Sequence, residues 1–426
     1  MSNRLRSLAA FLALATAPAF AQVEPVPASP ALERVTFDEA VQRATVSSPS
    51  VAEAAQAILR AEALLDRSRT VFWPLVYGNV GTSVLDAARG FGDDIVTPRT
   101  QTALSGTVSY ALLDAARWAS KNAFADRVVV SQAAAQDTRL HVAVLAAQAY
   151  LAVIASERQR EIAVRNRDTA IALEEYARAR LEAGQGSRLN HVRSLQQRAS
   201  AEGLLQVAEF AVSRAQEALG VAIFVNGPVG ANGDASLPVA PPPSNDAWLM
   251  QRPDVLLFSA ELKAQERIAN DAWKSWLPTA TASFTPRYVT PAGLFEPSRS
   301  WRAFFGLEIP IFDGTLGAEK RIKIAERESA RLRLEGVELQ ARSELRVARQ
   351  AVQRSELVVT AGRQAAENAL EALRITEIAY RAGATTNIEV VQAQQTARNT
   401  EIEAAVADDR LRQARLDLLV ALGQFP

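Results

Sequence analysis

Two histidines, His141 and His191, and no cysteine make up the stock of side chains that most often ligate transition metals. The histidines are distant in sequence, and a two-histidine site would need partners that the sequence does not supply. Without a thiol there is no cysteine nucleophile, no thiolate metal site and no lipidated N-terminal cysteine. No glycine-rich phosphate loop, nucleophile elbow or zinc-binding motif is present. Gly230-Ala231-Asn232-Gly233-Asp234 reads as a linker turn. The many Glu and Arg residues read as solvated faces or inter-helix pairs. No catalytic residue, cofactor or metal is therefore expected. Lys plus Arg equals Asp plus Glu at 47 each, so no global charge argues for nucleic acid.

What the residues are spaced for is architecture. Pro49 and Pro74 are matched by Pro253 and Pro278, Asp114 and Gly184 by Asp313 and Gly383, and Leu219-Gly220 by Leu422-Gly423. The offset runs 204, then 199, then 203. On that count the first half has five extra residues between Pro74 and Asp114, and the second has four extra after its glycine. This period is far longer than a solenoid repeat and points to an internal two-fold repeat of a whole supersecondary unit. The expected organisation is residues 1–21 as signal peptide, 22–35 as an N-terminal linker and 36–224 as the first repeat. A linker over 225–246 and a second repeat over 247–426 follow.

No proline occurs between Pro98 and Pro228, or between Pro310 and Pro426, so both intervals are free to be helical. Ala115 to Leu181 and Thr315 to Tyr380 carry apolar residues at helical spacing, and 65-odd residues at 1.5 Å each make a rod of roughly 100 Å. Each rod ends at Ala-Gly, a helix stop, and a second helix follows over Leu189 to Leu219 or Ile388 to Leu422. Each half is thus a long helical hairpin. A shorter helix precedes the β region of each half, Phe37 to about Arg69, with Pro49 interrupting or starting it, and Asp254 to about Lys274.

Between short helix and rod the period changes to 2. Ala280, Ala282, Phe284 and Tyr288 alternate with Thr279, Thr281, Ser283, Thr285 and Arg287. Trp301, Ala303, Phe305, Leu307, Ile309 and Ile311 share one face, against Arg302 and Glu308. The first half repeats this with Val76, Val80 and Val84, then Leu104, Val108, Tyr110 and Leu112. Strands of about ten alternating residues suit a transmembrane barrel, and Phe72, Trp73, Trp276 and Trp301 fall at strand ends as interfacial aromatics. Periodicity alone leaves a soluble β-sandwich patch open. Four strands cannot close a barrel within one chain, so a membrane barrel would have to be shared. Asp86 to Arg99 and Thr290 to Ser300 are expected as exposed tips, and Val225 to Asp246, with Pro241-Pro242-Pro243, as a linker.

The first residues read as a secretory signal: Arg4 and Arg6, an apolar Leu8 to Ala17, then Ala19-Phe20-Ala21 as a cleavage site before Gln22. Beyond it no transmembrane helix is expected.

Three stretches together resemble the TolC-like outer membrane efflux proteins, over nearly all of Thr36 to Gly423. They are Gln251 to Phe284 (Arg-Pro-Asp running through helix into strand), Leu307 to Arg321 (Pro-x-Phe-Asp-Gly) and Ala379 to Thr396. The resemblance implies an α+β fold: long helical hairpins forming a trimeric periplasmic α-barrel, and four strands per protomer in a shared twelve-stranded barrel. It implies a cell outer membrane location with a large periplasmic part. It implies an exit duct of an efflux pump or type I secretion system, with a periplasmic adaptor, an inner-membrane transporter and outer membrane lipid as partners. The tips that would meet the adaptor carry Gly184, Gly186 and Ser187, and Gly383, Thr385 and Thr386. The family's acidic constriction falls on Glu389, while its next position is Gln392 rather than an acid. Thr385 and Asn190 stand where the family's charged latch would be, so the latch is weakened. The rival reading is a periplasmic coiled-coil scaffold without channel activity.

Overall fold

The computed structural model describes residues 32–92, 94–235, 237–238 and 246–425. The signal peptide and, of the linker, residues 236 and 239–245, with Pro241-Pro242-Pro243 among them, lie outside the described residues.

The first half opens with β1 (Glu33–Val35), α1 (Phe37–Ser47) and α2 (Pro49–Thr70). The expected helix is interrupted just before Pro49, and Ser48 is the reason. Its N–H still donates to Ala44 O, its backbone turns extended, and its side chain caps α2 by accepting from Val51 N–H. Pro49, which has no N–H to lose, takes the first helical position. Then come β2 (Leu75–Val84), β3 (Arg89–Phe91), β4 (Asp94–Thr97) and β5 (Thr100–Leu113). The expected tip at Asp86 to Arg99 holds a small antiparallel hairpin, β3 on β4, too short for any period to reveal. Next are α3 (Ala115–Glu182), α4 (Arg188–Ala222) and β6 (Val229–Ala231), which pairs in parallel with β1.

The second half runs α5 (Pro253–Asp271), β7 (Thr279–Thr290), β8 (Arg299–Glu308), α6 (Gly314–Arg381) and α7 (Asn387–Ala421). The helix expected to reach Lys274 tightens to a 3-10 turn over Ala272–Trp276. β8 stops at Glu308, short of the expected Ile311, because Pro310 has no N–H for a ladder. α3 and α6 are each 68 residues long, and α4 and α7 each 35. The hairpins therefore match at one constant offset, and the four extra residues after the second glycine do not exist. The residue that ends α7 in left-handed geometry, Gly423 (φ 69°), corresponds to Phe224 (φ 60°), not to Gly220. Gly220 has another duty: an added Cβ would stand 2.0 Å from Gly227 O.

The four long strands form one antiparallel sheet in the order β2-β5-β7-β8. Val76 faces Val108, Val108 faces Phe284, Phe284 faces Ala303, and Ala280 faces Leu307. One surface is thus mostly apolar, with Thr82, Thr102 and Arg299 at the end away from the helices. The other carries Asn79, Ser105, Thr107, Thr281, Ser283, Arg287 and Arg302. The expected parity holds except at the base of β5, where a bulge puts Leu113 rather than Leu112 opposite Ala280.

The core sits at mid-height on the rods, not in the sheet. Tyr150 of α3 is fully buried, donates to Asn232 O and Gly233 O, and takes Phe37 edge-on at 5.5 Å. Val35, Val153, Leu219, Ile223, Val229 and Leu416 close around it. A second cluster joins Trp248, Val255, Leu345, Leu418 and Leu422. One stretch of α3 is long and apolar enough, by length and composition, to cross a membrane, which corrects the expectation of none; half of it is buried against its own chain.

Below the second cluster Arg252 is 7% exposed. It donates to both oxygens of Asp254, to Glu344 Oε2 (2.8 Å) and to Ala421 O (3.2 Å), tying the start of α5 to α6 and the end of α7. Burial alone would raise the Asp254 pKa, but the Arg252 bond and charge outweigh it and hold the carboxyl below its usual range.

Candidate functional site

At the end of each rod the helix closes in the same way. Gly184 N–H donates to Leu181 O and Gln185 N–H to Arg180 O; Gly383 N–H donates to Tyr380 O and Ala384 N–H to Ala379 O. This double bond pattern needs a left-handed residue, and the glycines supply it at φ 72° and 78°. Nothing lies within 4 Å of a Cβ added at either, so the penalty of substitution is conformational. Gly383→Ala is expected to lower stability by about 1 kcal/mol in urea titration. Gly186 is glycine for another reason, since a Cβ there would stand 2.7 Å from Leu181 N.

Ser187 starts α4 by accepting from Leu189 N–H at 3.1 Å. Thr386, in the same place before α7, makes no side-chain cap bond. Thr385 is half-buried, and its hydroxyl has no partner among the described residues. Gly184, Ser187, Gly383 and Thr386 are exposed.

The structure brings the two tips together through residues that motif reading missed. Tyr176 of α3 meets Tyr380 of α6 edge-on at 5.5 Å, and Arg180 lies 5.9 Å from both ring centres. Tyr176 O–H donates to Arg381 O. Just above, Glu174 is buried and holds His191 at 3.1 Å and Arg198 at 3.4 Å. Tyr176 stands eight residues before its glycine and Tyr380 three before its own, so matching the halves could not pair them.

Glu389 and Gln392 are exposed on α7, three residues apart and so on one face. The opposite face, with Asn387, Val390, Gln394 and Ala397, is buried. Among the described residues Glu389 makes no side-chain hydrogen bond or ion pair with Tyr176, Arg180 or Tyr380.

Far from the tips, the apolar sheet surface has nothing of its own chain upon it. Val76, Val80, Phe305 and Leu307 are 67%, 73%, 77% and 63% exposed. A soluble chain does not leave such a continuous surface bare. Trp73 and Trp301, near its strand ends, are 72% and 71% exposed.

Comparison with known proteins follows this geometry. The family model described as outer membrane efflux protein matches residues 246–424. Outer membrane protein OprJ of Pseudomonas aeruginosa is 29% identical over 177 residues, which are 41% of this chain and 37% of OprJ. The crystal structure of CusC, described in terms of transmembrane channel formation, superposes with a TM-score of 0.82 at 17% identity, covering 92% of each chain. The open-state structure of the Neisseria gonorrhoeae MtrE outer membrane channel gives 0.77 at 21% identity, over 91% of this chain and 88% of MtrE. The resemblance read from the three motifs stands. Residues 246–424 match the outer membrane efflux protein family model, and residues 32–425 share the α+β fold of CusC and the MtrE channel.

Proposed function

We propose that the chain is the outer membrane duct of a tripartite efflux pump or a type I secretion system, a passive conduit driven by an inner-membrane transporter through a periplasmic adaptor. The observation that carries this reading is the four-stranded sheet, with two open edges and one largely apolar surface, joined directly to two rods of about 100 Å. Open edges in lipid leave backbone groups unpaired, which neighbouring copies remedy. Three copies of four strands give a twelve-stranded barrel with polar side chains such as Thr281 and Arg302 lining the bore. The rods of three copies then stand side by side as the periplasmic tube. Mass measurement in detergent should give a trimer that conducts in planar bilayers. A monomer soluble without detergent would overturn the reading in favour of a scaffold.

The tips, with Gly184, Gly186 and Ser187 beside Gly383, Thr385 and Thr386, form the surface for the adaptor. Around the three-fold axis Glu389 forms a ring of three carboxylates at the periplasmic entrance, with Gln392 one turn inward. Like charges around a narrow opening favour cations and bind multivalent ones. Glu389→Gln is expected to reduce cation selectivity in planar bilayers and to weaken block by trivalent cations. Gln392→Asp should strengthen both. Unchanged conductance, selectivity and block in Glu389→Gln would mean that this side chain faces away from the axis.

A further inference from the structure

Beside the start of β2 the protomer leaves open a cleft of about 870 Å³, walled by Leu64 and Arg67 of α2, Trp73, Leu75 of β2 and Phe124 of α3. The sheet reaches it through Leu75, Ser109, Ala111 and Thr281, all on the surface opposite Val76, Val108 and Phe284. The cleft therefore opens on the polar side of the sheet. Through Ser120 it meets a second cleft of about 230 Å³, which through Ala123 and Ile268 meets a third of about 800 Å³. The third is lined by α2, α3, α5 and α6, a row in which each helix packs on the next. One hollow touches all four helices of such a row only on its concave side. Three copies closing into a tube turn that side inward, so strands and helices agree in placing the clefts on the bore.

A cleft of the first one's size takes a small organic molecule, and such sites pair apolar walls with a few polar groups. Leu64, Trp73, Leu75 and Phe124 supply the apolar walls. Among the described residues, Arg67 and Arg117 line it and no carboxylate does. Arg117 already gives its Nε to Asp114 at 2.7 Å. Arg67 has no side-chain hydrogen bond or ion pair among the described residues. An unpaired guanidinium offers a carboxylate or sulfonate two parallel bonds, while an organic cation would meet like charge and no counter-ion. The third cleft is different: Glu53, Glu261, Arg127 and Arg333 give it both signs over a floor of alanine and serine. A molecule with an apolar body is held at the first cleft and not below it.

We infer that the α2–β2–α3 cleft binds amphipathic organic anions, with Arg67 on the acidic group and Leu64, Trp73 and Phe124 around the apolar body. The inference rests on the duct reading and names a class of molecule retained at the duct wall, at the level where the sheet hands over to the helices.

The probe is naphthalenesulfonate, titrated calorimetrically into the trimer in lipid nanodiscs, with empty nanodiscs as the blank. It should bind the parent protein, and Arg67→Gln, compared as a trimer of equal mass, should weaken it about tenfold, the worth of one charge-assisted bond. Naphthylmethylammonium, of the same shape and opposite charge, should bind the parent about tenfold more weakly than the sulfonate. The chain has no cysteine, so Ser120→Cys gives one thiol per copy, where the first two clefts meet. A charged methanethiosulfonate that does not enter lipid should modify this thiol in the intact trimer, and naphthalenesulfonate should slow the reaction. No binding to a parent trimer that conducts, equal affinity in Arg67→Gln, or equal affinity for the ammonium probe would overturn the site. A thiol closed to the reagent would mean that a neighbouring copy fills the cleft, and would overturn it too. All of these would leave the duct reading standing. A parent protein that forms neither a trimer nor a conducting bore would overturn both.

Discussion

Phe284→Arg is expected to cost about 2–4 kcal/mol per chain in membrane insertion, the largest effect of any single change on the sheet. Phe284 lies mid-way along β7, between Val108 of β5 and Ala303 of β8, and its ring packs tilted against Trp301 at 5.9 Å. An arginine there points into hydrocarbon from the middle of the strand and cannot reach either interface. Leu307 belongs to the same surface but is the next-to-last residue of β8, so Leu307→Arg should cost about 1 kcal/mol. Thr281→Arg and Ser283→Arg, on the other surface, should insert normally. Urea titration of the folded protein in detergent or lipid checks the order. Equal tolerance at Phe284 and Ser283 would invert the facing of the sheet.

Arg252→Ala is expected to destabilise the helical body by about 3 kcal/mol. Removing one partner of a buried charge pair leaves the other unpaired, and Glu344, nearly half exposed, keeps the figure at the low end of the usual range. The change also strips a donor from Ala421 O at the end of α7. Chemical denaturation followed by circular dichroism measures it. The pH dependence has a definite sign. Asp254 has a folded pKa below its unfolded one, so its contribution is complete above the unfolded value and is lost as pH falls through the folded value. Burial raises the Asp409 and Asp417 carboxyls, against the pull of Arg412 and Arg158 on Asp409 and of a Gln413 hydrogen bond on Asp417, so these two oppose that trend. In Arg252→Ala the acid-side loss due to Asp254 should vanish. A variant as stable as the parent at neutral pH would mean that the pair is dispensable.

The rods were legible because nothing in Ala115 to Leu181 or Thr315 to Tyr380 could break a helix, and Ala-Gly announced each end. The strands were legible because one apolar surface imposes a single parity on the residues from Ala280 to Tyr288. The break at Ser48 was half visible, since Pro49 marks a boundary without saying on which side of it the helix continues. The bulge at Leu112 was invisible, because both it and Leu113 are leucine and no period registers the slip. The tip cluster was hidden for a different reason. Tyr176 and Tyr380, and Glu174 and His191, meet only when particular faces of separate helices come together, and one chain's periodicity does not fix their rotation. The Leu-Gly pairs misled because identical dipeptides served different ends: Gly423 turns the chain, while Gly220 makes room for Gly227.

The equal 68-residue helices carry a consequence for how such a chain can change. One residue inserted in either would turn everything beyond it by about 100° and advance it by 1.5 Å. The error would travel the length of the rod undiminished and arrive at Tyr176 and Tyr380 as a mismatch between tips. Insertions there are tolerable only as matched whole turns in both helices. The five additional residues of the first half lie instead between β2 and β5, where the chain has left both the sheet and the bundle. Loop growth at that end of the sheet is thereby mechanically uncoupled from the helical tips, and its surface can diversify without re-phasing the hairpins at the other end.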